Sequence, residues 1–436
     1  PSDRDARDWA RERVSRMLAE VAEQGDPEAS VDPRWEYMAP LLLDPGLRDF
    51  ITYWRSPDAN DVARPQSQSF ADYLGDLIDL NPASLGRQPQ GLVDLVTDLA
   101  LGAPGVVSTR TLTTAGLDDW TRRAQATRLA LAFWRLFNRR PVIGLLHQLY
   151  GHGRGEAEGA YWRRVMHYCV AGNLQAVLDE AWHLTWEQHG WAEGTSRYAV
   201  TKQCVEELAA RIEPRASRVH AQLPEADSDG RLVWSEFRIR SVFAQRFGDQ
   251  QTEDGRLSQD EIRAAFNSPF RPFVLTSTSV GQEGLDFHPW CHRLVHWNLP
   301  GNPVDLEQRE GRIHRYKGHA VRRNVASRFR REAQKSWAPG EDLWSLIFEI
   351  ADRMARSEVA DNLEPFWIAP GPYKIERRVP TLPYTREVEA FERLKHQLAT
   401  YRVVFGQPRQ EELVTMLGQA HLSRKDLAEW TVTLRP

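Results

Sequence analysis

Apolar residues recur at helical spacing through roughly the first 190 positions. In "YWRRVMHYCV", Tyr161, Val165, Tyr168 and Cys169 fall on one face of a helix, and "TRLALAFWRLFNRRP" is a second apolar segment that Pro141 stops. Leu174, Val177, Leu178, Ala181 and Trp182 stand at i, i+3, i+4, i+7 and i+8, the stripe of an amphipathic helix. Between such segments, "NPASLGRQPQG", "LGAPGVVSTRT" and "GHGRGEAEG" carry the Pro, Gly and Ser that make loops.

From about residue 195 the pattern changes. A helix ("VTKQCVEELAARI") leads to a strand ("SRVHAQL"); "EFRIRSVFAQRF" and "SQDEIRAAFNS" read as helices, and "PFVLTS" and "RLVHWNL" as short apolar strands. Strands alternating with helices predict an α/β lobe with an open, mostly parallel sheet. After 335 helical spacing returns, with Leu343, Ile347, Ile350 and Met354 on one face of "EDLWSLIFEIADRM". A proline-rich connection, "IAPGPYKIERRVPTLPY", precedes a last helical group. The expected organisation is a mainly helical region over 1–194, the α/β lobe over 195–335, and a helical extension over 336–436.

Composition narrows the class. The chain has 436 residues, enough for two or three domains, and 41% hydrophobic content. No continuous apolar run approaches the roughly 18 residues of a membrane span, and the charged start "PSDRDARDWARERV" holds no signal-peptide core. Cys169, Cys204 and Cys291 form no CxxC, so neither a disulfide framework nor a zinc site is expected, and no other metal site. A cytoplasmic protein with no membrane partner follows as the expectation. Net charge is −4, and only six of the 56 basic residues are lysine, a bias that suits a GC-rich bacterial genome. Pro1 at the start suggests a piece of a longer chain.

The chemistry concentrates in two stretches. "NLPGNPVDLEQREGRIHRY" contains a helix start, with Asn302 as N-cap, Pro303 at the first helical position and Asp305 three residues after the cap. If that helix runs on, Gln308, Arg312 and Arg315 share one face. Such a cationic stripe suits a polyanion, because guanidinium forks match phosphate oxygens and stabilise a transferring phosphoryl group. A solvated helix face with surface ion pairs is the plainer reading. Upstream, "TSTSVGQEGLDFH" is a strand end broken by Gly281 and Gly284, with Asp286 behind them, at the edge where α/β sheets bind ligands.

Together these stretches resemble superfamily 2 helicases and translocases: "TSTSVGQEGLDF" looks like motif V and "QREGRIHR" like motif VI. The intervening "RLVHWNLPGNPVDLEQR" is similar to the Snf2 and RapA-like branch, although "YKGHAVRRN" replaces the Ile-Gly-Gln that usually follows motif VI there. The resemblance covers roughly 255–325 and implies the second RecA-like lobe. It implies that Arg312 and Arg315 reach the γ-phosphate of ATP, with Gln308 at the same cleft, and that Gly284 and Asp286 sense the nucleotide. Thr276 and Ser277 would touch nucleic-acid backbone, and Lys317, Arg322 and Arg323 could do the same. The partners implied are nucleic acid, double-stranded DNA above all, and a first RecA-like lobe that holds Mg2+ with the ATP.

A complete helicase also needs a P-loop, yet no lysine of this chain follows a glycine. "LDEAWHL" mimics an acidic Walker B box, but Asp179 and Glu180 fall within the helical stripe above and not at a strand end. The chain therefore reads as the C-terminal portion of an ATP-dependent nucleic-acid helicase or translocase, inactive alone. The alternative is a non-catalytic RecA-like interaction module in a larger complex, of which a defence system is one setting.

Two further patterns carry less. "EADSDGRLVWSE" has the outline of a calcium loop, but it begins with Glu225 and Pro224 opposes an incoming helix, so it reads as a surface turn. His292 and His296, four apart within a strand, read as core or supporting histidines.

Overall fold

The computed structural model describes residues 3–22, 29–56, 68–150, 160–171, 174–189, 196–213, 217–226, 228–241, 259–270, 274–276, 286–357, 363–381 and 384–403. The chain divides into two compact units, Pro1–Arg215 with Ser336–Leu346, and Ala216–Lys335 with Ile347–Pro436.

The first unit is helical. It comprises α1 (Asp3–Ala22), α2 (Trp35–Leu43), α3 (Pro45–Arg55), α4 (Gln68–Asp79), α5 (Leu92–Gly102), α6 (Pro104–Thr111), α7 (Asp119–Phe137), α8 (Arg140–Tyr150), α9 (Ala160–Ala171), α10 (Leu174–His189) and α11 (Arg197–Ile212). Its helices start where capping chemistry allows. Asp118 accepts the amide of Thr121 ahead of α7, and Ser196 that of Ala199 ahead of α11. One core gathers Val14, Leu18, Trp35, Met38, Leu85, Leu92 and Val96, and the Trp35 indole donates to the Gly86 carbonyl at 2.6 Å. Elsewhere Leu129, Phe133, Leu178, Leu208 and Ile212 are fully buried on α7, α10 and α11.

Residues Leu92–Ala115 are, by length and composition, apolar enough to cross a membrane. The backbone breaks inside them: Ala103 takes φ −58°, ψ 130°, ending α5 before Pro104 opens α6. Val96, Val107, Leu112 and Ala115 from both halves are buried within the unit.

Asp179 lies on α10, as the helical stripe requires, and accepts from Thr111 Oγ1 at 2.6 Å and Gln175 Nε2 at 2.8 Å. Burial pushes its carboxyl above the usual range. Four residues on, His183 is fully buried with Nδ1 2.6 Å from Asp342 Oδ2. Asp342 in turn accepts the amide of Trp344.

The second unit holds β1 (Ser217–Ala226), β2 (Leu232–Ser241), α12 (Gln259–Phe266), β3 (Arg293–Val295), α13 (Pro303–Gly311), α14 (His319–Ser336), α15 (Leu343–Ser357), β4 (Glu376–Arg378) and α16 (Glu387–Val403), with the ends of α14 and the start of α15 in the first. Strands β1 and β2 form an antiparallel hairpin across a turn in which Gly230 takes φ +76°, so the calcium-like pattern is a turn. The helix expected over 236–247 is a strand as far as Ser241, and 242–247 lie outside the described residues. Val233, Ser235, Phe237 and Ile239 alternate at period two, and pairing with β1 carries the strand to Ser241.

An open, mostly parallel sheet is likewise not what the described residues form. They contain two two-stranded sheets, the hairpin and the parallel pair β3–β4. Strand β4 comes from the proline-rich connection that reads as a linker, where Glu376–Arg378 pairs in register with Arg293–Val295. Val274–Thr276 has no regular structure, and the rest of that expected strand lies outside the described residues.

Candidate nucleotide and nucleic-acid site

Helix α13 begins as the sequence requires. Asn302 Oδ1 accepts the Asp305 amide at 2.8 Å, its Nδ2 donates to Asp305 Oδ2 at 3.1 Å, and Pro303 occupies the first turn, where no amide is missed. Leu306 is fully buried against Leu394 and Leu398 of α16. The helix stops at Gly311, a poor helix former, and Arg312 is its C-cap. The expected single stripe is thus broken. Gln308 is exposed on the helix, Arg312 is only 9% exposed at its end, and Arg315 lies beyond it.

A loop contact, not a helix face, joins the two stretches. The Phe287 amide donates to the Arg312 carbonyl at 2.9 Å, and Arg315 Nε donates to Asp286 Oδ1 at 3.1 Å. Asn267, at the end of α12, holds the Asp286 carbonyl at 2.8 Å, while Phe287 is buried edge-on to Phe266 with centroids 5.6 Å apart. The His319 amide then donates to the His288 carbonyl at 3.0 Å. These bonds span 19 to 31 positions of chain, and no spacing rule encodes them. Gly281, Gly284 and Ser277 lie outside the described residues, and Thr276 is exposed.

The three downstream cations divide sharply. Arg322 is fully buried: its guanidinium donates to the carbonyls of Lys317, at 2.6 Å, and Pro289, and lies 5.1 Å from the Trp290 ring centroid. Lys317 is 3% exposed, with Nζ 4.2 Å from the Phe348 centroid and near Tyr316 and Phe366. Its φ of +47° is strained for a residue with a Cβ, and a 2.7 Å bond from its amide to the Phe366 carbonyl holds it there. Burial removes both from any surface that a phosphate backbone would meet, so they organise the loop after Arg315. Arg323 is exposed, stacked 3.8 Å above the Tyr373 centroid.

The neighbouring strand pair is tied down by charge. Arg377 grips both carboxylate oxygens of Glu310, and His296 Nε2 lies 3.5 Å from Glu310 Oε1. Burial raises the Glu310 carboxyl, but these partners outweigh it and the net shift is downward. Arg293 and Arg378 hold Glu376 down to about 2. His292 lies tilted against His319 with ring centroids 5.1 Å apart. Burial, then the charges of Arg322, His292 and Arg323, pushes His319 down to about 3, and burial takes His288 to about 4. Asn324 fastens the 369–373 segment to α14 through the carbonyls of Ala369 and Tyr373 and the Tyr373 amide. A cavity of about 530 Å³ opens between them, lined by Leu294, Ile313, Val321, Trp367 and Tyr373 among others.

Among the described residues no group of three or more His, Cys, Asp or Glu is placed to hold a metal ion. Arg315 and Asp286 can exchange partners, since both are about half exposed. Sequence reasoning named both residues but missed that they bind each other.

Residues 251–317 match the family described as helicase conserved C-terminal domain. Over 92 residues the chain is 30% identical to the uncharacterized ATP-dependent helicase YqhH of Bacillus subtilis (strain 168), an alignment that covers 19% of this chain and 16% of that protein. No solved structure matches the chain.

Proposed function

We propose that residues 195–335, which include the matched stretch 251–317, act as the second RecA-like lobe of an ATP-dependent nucleic-acid helicase or translocase, of the Snf2/RapA-like kind, with double-stranded DNA as its track. The observation that carries this reading is the Arg315–Asp286 pair, which joins the motif VI-like and motif V-like stretches within a helicase C-terminal match.

The residues fit a shared ATP site. An ion pair this exposed contributes about 0–1 kcal/mol, so a triphosphate carrying several charges outcompetes one carboxylate for the guanidinium. ATP, when bound to a first lobe with its Mg2+, supplies the phosphoryl group and its free energy of hydrolysis. On this chain, Arg315 turns from Asp286 to the γ-phosphate side of the cleft and Gln308 faces the same space. Arg312, anchored through its carbonyl to Phe287, transmits that movement to the motif V-like loop of Gly284 and Asp286. Thr276, Ser277 and Arg323 contact the nucleic-acid backbone.

Burial of Arg312 favours a second reading, in which the lobe is a non-catalytic interaction module. Assaying ATP turnover of the natural full-length protein with and without duplex DNA, beside this chain alone, separates the two. The helicase reading expects DNA-stimulated turnover by the former and none by the latter; absence of turnover in both favours the module.

A further inference from the structure

We propose that α14 carries a backbone-binding strip for nucleic acid: a cavity at its head seats one phosphate beside Arg323 and Lys374, and Arg330 and Arg331 neutralise others along its exposed face. The class of ligand rests on the helicase reading. The strip itself rests on exposure, pairing and shape on α14 and the 372–376 segment, beyond the stretch that matches the helicase domain.

Charge sets this helix apart. In a chain of net charge −4, α14 holds six arginines and lysines against one carboxylate, Glu332. No acid stands in its first turn, where the helix dipole favours one, and Arg322 and Arg323 follow at once. Arg322 is turned inward onto backbone carbonyls. Arg323, Ser327, Arg330 and Gln334 stand at i, i+4, i+7 and i+11 and are all exposed, a polar face about 16 Å long with Arg331 exposed at its flank. Among the described residues, none of Arg323, Arg330, Arg331 and Lys374 is paired with a carboxylate.

At the head of α14, three segments line a cavity of about 150 Å³: His292 ahead of β3, His319 and Arg323 on the first turns of the helix, and Lys374 and Glu376 at the approach to β4. That volume is roughly ten times what a single water requires, ample for a phosphate group. Its walls are held in place. The Arg323 guanidinium lies 3.8 Å from the Tyr373 ring centroid, and Asn324 bonds the Tyr373 backbone to the helix. The carboxylate on the wall, Glu376, is already held by Arg293 at 2.7 and 3.1 Å and by Arg378 at 3.0 Å. Arg323 and Lys374 therefore leave the cavity cationic. His319 feels the same imbalance: burial first, then the charges of Arg322, His292 and Arg323, lower its pKa, with no carboxylate opposing them. A lone pocket would take any small anion. The exposed Arg330, two turns and about 10 Å further along the same face, suits a chain of phosphates instead, whose oxygens match guanidinium forks.

The test uses the whole chain and fluorescently labelled oligonucleotides, duplex and single-stranded, in anisotropy titrations over a range of salt. Arg323→Gln with Lys374→Gln, and separately Arg330→Gln with Arg331→Gln, should each weaken binding about tenfold or more at low salt and lower the log–log salt slope by about 1–2. Arg323→Lys, Arg330→Lys and Arg331→Lys together should keep both near wild type. All four positions are exposed, so the variants should melt with the wild type. Inorganic phosphate, added at constant ionic strength, should compete no better than chloride. Affinity and slope unchanged in either Gln variant would overturn the proposal, as would a wild-type chain that binds neither oligonucleotide. So would displacement by inorganic phosphate, which would make the free anion the ligand, or a labelled polyglutamate that binds as tightly as the oligonucleotides, which would mark an acidic protein partner. The helicase reading is judged separately, by the effect of Arg315→Ala on ATP turnover, so either can fail while the other stands.

Discussion

Arg315 and Asp286, 29 positions apart in sequence, meet at 3.1 Å with both side chains about half exposed. A pair so open to water does little for stability. Its value lies in where it sits, joining the residue behind the motif V-like glycines to the loop that follows α13. Asp286 parks the guanidinium near the place where the proposed function requires it.

Arg322→Ala should destabilise the second unit by about 2–4 kcal/mol, because two backbone carbonyls lose a buried charged donor. Urea unfolding checks this. Arg323→Ala, at an exposed position on the same helix, should leave the unfolding free energy within about 0.5 kcal/mol of wild type.

Asn302→Ala removes the acceptor for the Asp305 amide and should cost about 1 kcal/mol. Asn302→Asp keeps an acceptor there and should recover most of it. Equal losses in the two variants would contradict the capping role.

Acid should destabilise the second unit through His288 and His319. Their folded pKa values, about 4 and about 3, lie below the ordinary value near 6.5. Above pH 6.5 both are neutral whether the chain is folded or not. Between 6.5 and about 3 the unfolded chain takes up protons that the folded chain refuses, so stability falls with pH across that window. The melting temperature should drop from pH 7 to 5, and less so in a His319→Gln variant.

Asp179→Asn separates a helix-borne acid from a Walker B acid. Asp179 is bonded to Thr111 and Gln175 within the helical unit, so the variant should turn over ATP within about twofold of the full-length wild type. A loss of 100-fold or more would give Asp179 the catalytic role that its place on α10 argues against.

Local rules were legible wherever one element suffices. The Asn302–Pro303–Asp305 helix start, the α10 stripe and the turn at Gly230 follow from propensity, capping and φ. The end of α13 did not follow, because helical spacing projects a stripe past Gly311 without registering how readily the helix ends there. The second half of β2 is not legible as a strand, because "EFRIRS" suits either period until β1 lies beside it. The burial of Arg322 and Lys317 was illegible for a related reason. Each is a cation by composition, but Trp290, Phe348 and Phe366 arrive from distant parts of the chain. The helicase-like stretches were readable as chemistry, and their mutual contact only as three-dimensional structure.

The central claim is that Arg315 serves the phosphate side of a shared ATP site. Its most direct test is steady-state ATP turnover by the full-length natural protein on duplex DNA, with DNA affinity measured alongside. Arg315→Ala should lower turnover by about 10³-fold or more while affinity stays within about twofold. An Arg315→Ala protein that hydrolyses ATP at the wild-type rate would contradict the claim.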